Sequence, residues 1–299
     1  MTDHQNTSSR HPAQASLEQL SVYKSYKNSP YLSLKHSSYF QVYADLFEKY
    51  RNQEITFVEV GVLNGGSLFM WREFFGPRAR IIGVELNPEA KKWETDGFEI
   101  YIGSQSDPEF WNNFFKTIGS VDLILDDGGH TYEQQIITAH QCIPHIKDGG
   151  LLVVEDTHTS YMQTFGYPTQ YSFMEWTKKL IDNINARFPG LSHSNLIYKN
   201  FIYSISIFES IVSFKIDRSK CFESTPTSND GITSNAIDFW NKDSPVETID
   251  SINSLERKLS NTLGLLKYIP FAKSIKNFAF EAPKSLIMKT NLSKLKKYF

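Results

Sequence analysis

The sequence predicts an α/β fold built on a doubly wound, Rossmann-like sheet, and three observations lead to this prediction. Short apolar runs alternate with amphipathic helical stretches through residues 35–217, which is the order expected of repeated β/α units. Two of the runs end abruptly in acidic residues, as buried parallel strands do when they deliver polar groups at their carboxyl ends. The last two runs are separated only by Glu209 and Ser210, which predicts a closing hairpin.

The elements can be assigned in order from their patterns. Apolar residues from Tyr39 to Tyr50 recur at steps of three and four residues and predict a helix that Ser37 or Ser38 can cap. Predicted strands cover residues 55–60, 80–86, 98–103, 121–126, 151–156, 201–208 and 211–216, and further helices begin at residues 68, 107, 131 and 173. Residues 157–172 are polar with three tyrosines, a composition typical of an active-site loop.

A glycine-rich loop, GVLNGGS at residues 61–67, follows the first strand and leads into a helix. Glycine lets the backbone approach a ligand closely, and a helix N-terminus offers free N–H groups, so the arrangement is typical of nucleotide sites. The loop lacks the GK[ST] of a Walker loop and does not fit G-x-G-x-x-G. Glu59, inside the apolar strand, strengthens the prediction because a buried carboxylate needs partners, either the loop backbone or a cationic ligand. Glu85 follows the loop by about 20 residues, where such folds place a carboxylate for ribose hydroxyls.

Two later strands end in acids, VDLILDDGGH and LLVVED. If these strands are parallel neighbours, their acidic ends meet at the rim of the sheet where ligands bind. The polar residues concerned are Asp126, Asp127, Glu155 and Asp156, with His130 at the start of the next helix. Oxygen ligands of this kind suit Mg²⁺ or Mn²⁺ better than zinc. For either motif alone, a turn or a helix cap is the structural alternative.

Composition limits the other classes of function. The formal net charge of −2 gives no general attraction to nucleic acid. Two cysteines, Cys142 and Cys221, form no disulfide framework and indicate a reducing cytoplasm. No apolar run approaches the roughly 20 residues of a membrane span, and the polar first residues lack the apolar core of a signal peptide. We therefore expect a cytoplasmic location, with the inner face of the membrane as a further option because of the basic tail described next.

Composition also divides the chain into three parts. Residues 1–34 predict a flexible leader, residues 35–217 the α/β domain, and residues 218–299 a loop, an amphipathic helix and a basic tail. The apolar stripe of the helix predicted at 246–269 favours packing on the α/β domain or on a second copy of the chain, as in a homo-oligomer. Residues 271–299 hold seven lysines and one acid among apolar residues. Two interpretations of this tail stay open: it contacts a membrane surface or an anionic glycan, or it is solvated.

Read together, these motifs resemble those of a known family. The blocks FVEVGVLNGGSLFMW, IIGVELN, GSQSD, VDLILDDGGHTYEQQ and GGLLVVEDTHTSY resemble the class I S-adenosylmethionine-dependent methyltransferases. In particular, they look like the metal-dependent O-methyltransferases of macrolide sugars and like sequences labelled cephalosporin hydroxylase. The resemblance covers roughly residues 35–215 and implies a seven-stranded sheet with five parallel strands and a terminal hairpin. The hydroxylase label fits less well, because an iron(II) facial triad normally needs two histidines and one carboxylate.

The resemblance also implies a role for each candidate residue. The cofactor S-adenosylmethionine would contact Glu59, Gly61, Asn64, Gly65 and Ser67 with its methionine part, Glu85 with its ribose, and Gln105 and Ser106 with its adenine; Asp126 would face the cofactor rather than the metal. Mg²⁺ or Mn²⁺ would be held by Asp127, Glu155 and Asp156, and His130 would be the general base. The sequence has DDGGH where the family usually has DDGSH, a change that leaves these ligands in place.

The expected function is an S-adenosylmethionine-dependent, metal-assisted O-methyltransferase that acts on a sugar hydroxyl of a glycan or glycosylated metabolite. A nicotinamide-dependent oxidoreductase with the same element order, and a non-catalytic member of a glycan-assembly complex, stay open as alternatives. Lys35 and His36, polar residues beside aromatic ones, are either surface residues or ligand contacts. Tyr161, Phe165 and Tyr167 either stack on a sugar ring or pack against the domain.

Overall fold

The computed structural model describes residues 16–191, 198–234, 245–262 and 277–298. The chain divides into two compact units, Met1–Pro226 and Thr227–Phe299. The first unit extends past the boundary expected at residue 217, since Arg218 anchors the chain to the end of the domain. Its guanidinium donates to the carbonyls of Pro144 and Ile146 at 2.8 and 2.9 Å and to Asp148 at 2.7 Å.

The first unit contains a seven-stranded sheet with strand order β3-β2-β1-β4-β5-β7-β6. The strands are β1 (Thr56–Val60), β2 (Arg80–Glu85), β3 (Glu99–Ile102), β4 (Val121–Asp126), β5 (Ile146–Val154), β6 (Ile202–Phe208) and β7 (Ile211–Ile216). Strands β1 to β5 run parallel, β7 pairs antiparallel with β5, and β6 pairs antiparallel with β7. The predicted fold class, five parallel strands and a terminal hairpin, is confirmed.

Helices cover both faces of this sheet. In the first unit they are α1 (Ser21–Asn28), α2 (Tyr39–Phe47), α3 (Gly66–Phe75), α4 (Pro108–Ile118), α5 (Tyr132–Cys142) and α6 (Phe173–Asn185). Short 3-10 helices lie at Glu48–Tyr50, Pro88–Asp96, Ile143–His145, Thr157–Tyr161, Gln163–Phe165 and Arg218–Lys220. Several helix starts use the side chains expected of caps. The Thr131 hydroxyl accepts from the Gln134 backbone N–H, and the Gln134 side chain in turn accepts from the Thr131 backbone N–H, which fixes the start of α5 directly after the DDGGH loop.

The core lies in two layers, one on each face of the sheet. Residues of β4 alternate between them, with Leu123 and Leu125 in one layer and Ile124 in the other, as the period of a strand requires. The layer under α2 and α3 is largely aromatic; its members include Tyr43, Phe47, Phe57, Trp71 and Phe75. Through Tyr39 and Tyr43, α2 reaches the two acids that follow β5.

The structure differs from the flexible leader predicted for residues 1–34 where it describes α1. Val22 is fully buried, and the rings of Tyr23 and Tyr26 each lie 4.9 Å from the ring of Phe40 in α2. The physical reason is that this short stretch carries enough aromatic surface to pack on α2 although its flanks are polar. Residues 1–15 lie outside the described part of the chain.

The second unit contains α7 (Pro245–Thr262), a π-helical turn (Asn277–Glu281), α8 (Ala282–Ser293) and a 3-10 turn (Lys296–Tyr298). Lys284 donates to Glu256 at 2.8 Å and to Glu281 at 3.0 Å. The helix predicted at 246–269 is described as far as Thr262, and the remainder lies outside the described residues. None of the helices described is both long and apolar enough to span a membrane. A contact of the basic tail with a membrane or a glycan stays a prediction.

Candidate active site

The carboxyl ends of β1 and β4 open onto a cavity of about 470 Å³. These two strands are neighbours at the point where the strand order reverses, which is where open α/β sheets bind ligands. The cavity is lined by residues 32–34, 60–64, 66, 67, 84–86, 103–105, 127–130, 134 and 156. Of the predicted site residues, Gly61, Asn64, Ser67, Glu85, Gln105, Asp127, His130 and Asp156 line it, whereas Glu59, Gly65, Ser106, Asp126 and Glu155 do not.

The glycine loop runs close to the loop after β4. Gly61 has a φ of +90°, and a Cβ there would lie 2.2 Å from the carbonyl oxygen of Asp127. The sheet ladder continues between the two loops, because the Asp127 N–H donates to the Val60 carbonyl at 2.9 Å. Only glycine allows this approach. The glycine at position 61 is therefore required by the close contact between the two loops.

Glu85 at the end of β2 organises the same loop. Its carboxylate accepts hydrogen bonds from the backbone N–H groups of Val62, Leu63, Leu86 and Asn87, at 2.8 to 3.0 Å. Partial burial raises the pKa of Glu85, but these four donors outweigh burial, so the pKa lies below its usual value. Glu85 is therefore a fixed negative charge in the cavity wall, as a carboxylate for ribose hydroxyls has to be.

Glu59 lies beneath the cavity, fully buried in β1. Its two oxygens accept from the Ser67 hydroxyl at 2.8 Å and the Trp71 indole N–H at 3.0 Å. These partners are side chains of α3, not the loop backbone or the cationic ligand expected from the sequence. Burial raises the pKa of Glu59 to about 7. Glu59 thus couples β1 to α3, and its contact with a cofactor stays a prediction.

Gln105 and Asp126 form a buried hydrogen-bonded pair that supports the DDGGH loop. The Gln105 amide donates to Asp126 Oδ1 and to the Thr138 hydroxyl, both at 3.0 Å, and its oxygen accepts from the Gly129 N–H at 2.8 Å. Burial raises the pKa of Asp126 to about 7, and its Oδ2 is buried without a hydrogen-bond partner. Gln105 reaches the cavity and Asp126 supports it from behind. Ser104 rather than Ser106 lines the wall beside Gln105.

Three side chains converge at the rim, Asp127, His130 and Asp156. Each offers one ligand atom, and these atoms all lie within 4.8 Å of one another. His130 Nε2 lies 3.3 Å from Asp156 Oδ2. Among the described residues, this is the group of histidine and acidic side chains whose spacing fits a metal ion. The sequence placed all three at this site.

Glu155 is not part of this group. It is 1% exposed and points to the aromatic layer, where both of its oxygens accept from Lys35 Nζ, at 3.2 and 3.0 Å. The Tyr43 hydroxyl also donates to Glu155 Oε1. Lys35 Nζ nevertheless links Glu155 to Asp127, because it contacts both carboxylates. The role of Glu155 as a metal ligand stays a prediction.

Sequence reasoning missed the donors that reach the rim from the N-terminal side. Lys35 Nζ lies 2.5 Å from Asp127 Oδ2, and the Tyr39 hydroxyl donates to Asp156 Oδ1. Burial lowers the pKa of Lys35, but the carboxylates of Asp127 and Glu155 outweigh burial and hold it above its usual range. Tyr39 and Tyr43 gave the same pattern as core residues of an amphipathic helix, so only the polar Lys35 before that helix carried a signal.

The backbone at the rim adopts uncommon conformations. His130 and Asp156 have φ values of +60° and +55°, in the left-handed region that favours glycine. The left-handed region costs an ordinary residue roughly 1–2 kcal/mol. Such outliers persist where the surrounding structure fixes them, and they cluster at functional sites.

Comparisons with known proteins now bear on this geometry. Residues 58–157 match a family model described as a methyltransferase domain. Residues 58–157 are thus similar to a methyltransferase domain. The matched stretch begins in β1 and ends just after Asp156, so it includes the glycine loop, Glu85 and the three convergent side chains. The resemblance inferred from the sequence motifs is confirmed.

Part of the chain is similar to enzymes named as O-methyltransferases. Demethylmacrocin O-methyltransferase of Streptomyces fradiae is 28% identical over 183 residues, 54% of this chain and 46% of the relative. Mycinamicin VI 2''-O-methyltransferase of Micromonospora griseorubida is 31% identical over 185 residues, 54% of this chain and 45% of the relative. The chain spans about half the length of these curated relatives.

Among solved structures, the MycE methyltransferase of the mycinamycin biosynthetic pathway, in complex with Mg, SAH and mycinamycin VI, is similar with a TM-score of 0.59. The two are 26% identical, and the alignment covers 80% of this chain and 60% of MycE. The shared architecture therefore extends beyond the methyltransferase domain matched by the family model.

Proposed function

We propose that this chain is an S-adenosylmethionine-dependent O-methyltransferase that uses a divalent metal to act on a sugar hydroxyl of a glycan or glycosylated metabolite. The observation that carries the proposal is the convergence of Asp127, His130 and Asp156 within 4.8 Å at the mouth of the cavity. A nicotinamide-dependent oxidoreductase is not favoured, because the family model that residues 58–157 match is a methyltransferase domain and the named relatives are methyltransferases.

The cavity has the groups that S-adenosylmethionine requires. Glu85 presents a fixed charge for ribose hydroxyls, and the Gly61 loop allows the backbone to lie against the methionine part. Asn64, Ser67 and Gln105 offer polar side chains along the same wall. When bound, S-adenosylmethionine supplies the electrophilic methyl group.

The rim fits Mg²⁺ or Mn²⁺ by the chemistry of its donors. Asp127 and Asp156 offer carboxylate oxygens, and Mg²⁺ is usually held by one or two carboxylates and several waters. When bound, the metal would orient two vicinal hydroxyls of a sugar and lower their pKa. We assign the metal to these two acids, with Glu155 as the third ligand that the resemblance implies; the similar MycE structure contains Mg.

His130 would take the proton of the acceptor hydroxyl, and its contact with Asp156 supports this role. Its Nε2 lies 3.3 Å from Asp156 Oδ2, which favours the tautomer with the proton on Nε2 and leaves Nδ1 as the proton acceptor. His130 Nδ1 would accept the hydroxyl proton as the hydroxyl oxygen takes the methyl group that bound S-adenosylmethionine would supply. Asp156 then stabilises the imidazolium.

The sugar acceptor is inferred from the relatives and from the loop after β5. Similar proteins are named as O-methyltransferases of demethylmacrocin, of mycinamicin VI and of 8-demethyl-8-alpha-L-rhamnosyl tetracenomycin-C, the last of which carries a rhamnosyl sugar. Tyr161 and Tyr167 in this loop are more than half exposed, as expected of rings that stack on a sugar. Phe165, the third ring considered for this purpose, lies between them on a 3-10 turn.

Isothermal titration of S-adenosylmethionine into the purified protein, with and without Mg²⁺, tests the proposal first. Binding followed by methyl transfer to a glycoside, lost on addition of chelator and restored by Mg²⁺, is the expected result. Absence of binding in both conditions would remove the methyltransferase assignment. Binding of cofactor and metal without transfer to any of a panel of glycosides would favour the non-catalytic member of a glycan-assembly complex.

A further inference from the structure

The two outer strands of the sheet, β3 and β6, differ in how their free edges are protected. An edge strand presents unpaired N–H and C=O groups, and proteins usually cover or shorten such an edge because it can pair with another chain. Strand β3 is only four residues long. The Ile100 N–H in this strand donates to Glu94 at 3.4 Å, and the Ile100 carbonyl accepts from Lys91 at 2.6 Å. Side chains of the same chain therefore occupy the outer edge of β3.

Strand β6 forms a longer edge, and its described contacts protect it only at its start. It has seven residues, IYSISIF, and none of them is charged. The Arg187 guanidinium donates to the carbonyls of Ile202 and Tyr203, at 2.8 and 3.2 Å. In the part of the chain that the structure describes, β6 is the last strand on this side of the sheet. The edge beyond Tyr203 is thus available for pairing.

The pairing of β6 with β7 determines which backbone groups face outward. A two-residue turn joins the strands, so Phe208, Ser206 and Ser204 exchange hydrogen bonds with β7. Ile205 and Ile207 alternate with them and direct their N–H and C=O groups away from β7. No described residue donates to or accepts from these four outward groups. The Ile207 side chain is also 52% exposed.

Two such edges fit each other. If a second copy lies antiparallel with Ser206 on the two-fold axis, Ile205 of each copy is opposite Ile207 of the other. Each of these two pairs exchanges both backbone hydrogen bonds, so the outward groups of both copies are all satisfied. Ile207 then packs against Ile205 of the second copy on the same face of the sheet. The edge is therefore self-complementary, as an interface between two identical surfaces requires.

Charges at the two ends of β6 fit the same register. Lys215 and Lys220 extend over the Tyr203 ring at the start of the strand, with Nζ 5.7 and 5.5 Å from the ring centre. Lys220 also pairs with Asp217. Glu209 is exposed in the turn at the other end. In the antiparallel arrangement, Glu209 of the second copy is opposite Tyr203 and meets these lysines. Opposite charges placed in this way fix the register of an interface.

We propose that the β6 edge is a dimerisation surface, at which two copies of this chain pair antiparallel about Ser206 and continue one sheet across both molecules. Main-chain hydrogen bonds supply the affinity of such pairing, and alternate side chains supply its specificity. The dimer is independent of the proposed methyl transfer.

A cysteine at position 206 tests the register directly. The two copies of residue 206 would form a non-hydrogen-bonded pair with Cα atoms about 4.5 Å apart, a separation that a disulfide spans. We expect full-length Ser206→Cys to form a disulfide-linked dimer under mild oxidation, visible on a non-reducing gel. Ser204→Cys, on the same face of β6, is the matched control, because its two thiols would lie roughly 13 Å apart and should not link. The native Cys142 and Cys221 are buried.

Sedimentation velocity of the full chain over a range of micromolar concentrations tests the backbone pairing. Ile207→Pro removes an N–H that points away from β7, so it should keep the hairpin and raise the dissociation constant of the dimer about tenfold or more. Ile207→Val keeps this N–H and should dimerise as the wild type does. Circular dichroism and thermal melting show whether each variant is folded. If Ile207→Pro does not fold, Ile207→Lys replaces it, since a charge on an edge strand opposes pairing and leaves the backbone unchanged.

Charge reversal tests the two ends of the interface. Glu209→Lys should raise the dissociation constant roughly threefold or more, because like charges then face each other at both symmetric ends. Glu209→Lys/Lys215→Glu exchanges the two charges and should restore the wild-type value.

Two results would overturn the proposal. The first is a wild-type chain that stays monomeric at every concentration, as it would if the edge were covered by another segment of this chain or served a different protein. The second is a dimer that persists unchanged in the folded variants of Ile207, or that links through position 204 rather than 206, since the interface would then lie elsewhere or in another register. Neither result affects the methyltransferase assignment, which the binding of S-adenosylmethionine decides.

Discussion

At the scale of single residues, Asp156 brings the site together. It follows β5 in a left-handed conformation, lies 3.3 Å from His130 Nε2 and accepts from the Tyr39 hydroxyl. A carboxylate that contacts both a base and a helix orients the base and ties it to the fold. His130 is therefore the residue whose removal should affect chemistry more than binding.

We expect His130→Ala to lower the rate of methyl transfer by roughly 10²–10⁴-fold, the usual contribution of a general base. S-adenosylmethionine should still bind with nearly the wild-type affinity, since Glu85 and the glycine loop are unchanged. Single-turnover transfer and calorimetric titration measure the two effects. His140→Ala, an exposed position on α5, is the control, and a transfer rate that is unaffected in His130→Ala would contradict the assignment of the base.

Glu59 gives a prediction about pH. Burial raises its folded-state pKa to about 7 from its ordinary value of 4.5, so the neutral form is favoured in the folded protein. The resulting contribution to stability is complete below pH 4.5 and is lost as pH rises through 7. The loss is roughly 3 kcal/mol at most. In Glu59→Gln it should be absent, so this variant should gain stability relative to wild type between pH 5 and pH 8.

Urea denaturation at the two pH values measures this difference. Glu54→Gln, an exposed position, should show no such change relative to wild type. A stability difference between Glu59→Gln and wild type that is the same at both pH values would show that Glu59 is ionised in the folded protein throughout this range.

At the scale of elements, α2 does more than cover the sheet. Its apolar stripe was predicted from the sequence, and Val42 and Phe47 pack as expected. Two tyrosines of the same stripe also donate to the acids after β5, Tyr39 to Asp156 and Tyr43 to Glu155. Periodicity indicates that a side chain faces inward, but it does not indicate which polar atom that side chain contacts. These hydrogen bonds could therefore not be predicted from the sequence.

Removing one of these donors should destabilise the whole domain. Tyr43→Phe leaves Glu155 with fewer donors in a buried position, and we expect the free energy of unfolding to fall by about 1–3 kcal/mol. Chemical denaturation measures the loss, with Tyr171→Phe on the exposed loop after β5 as the control. Equal stability of Tyr43→Phe and wild type would mean that Lys35 alone satisfies Glu155.

At the scale of the whole molecule, the sequence predicted the sheet well because strand ends, glycines and acids are local signals. The seven strands, the rim at their carboxyl ends and the trio of Asp127, His130 and Asp156 were all accessible in this way. The packing of α1 and the ion pair of Lys35 were not, because each depends on contacts between residues distant in sequence. Lys35 and Glu155 are separated by 120 positions.

The described residues that line the cavity all belong to the first compact unit, which predicts how ligand binding affects stability. S-adenosylhomocysteine at 100 times its Kd should raise the free energy of unfolding by about 2.7 kcal/mol, the increment set by mass action. The unit Met1–Pro226 by itself should show the same increment as the full chain. Denaturation with and without the ligand measures both, and an increment present only in the full chain would show that residues beyond 226 contribute to binding.

The left-handed backbone at His130 has a consequence for selection. Glycine at this position would relieve about 1 kcal/mol of conformational strain and remove the proposed base in the same step. Selection for stability and selection for turnover therefore favour different residues at position 130. A library of variants screened only for heat resistance should accumulate glycine at position 130 and drift toward folded proteins that no longer transfer a methyl group.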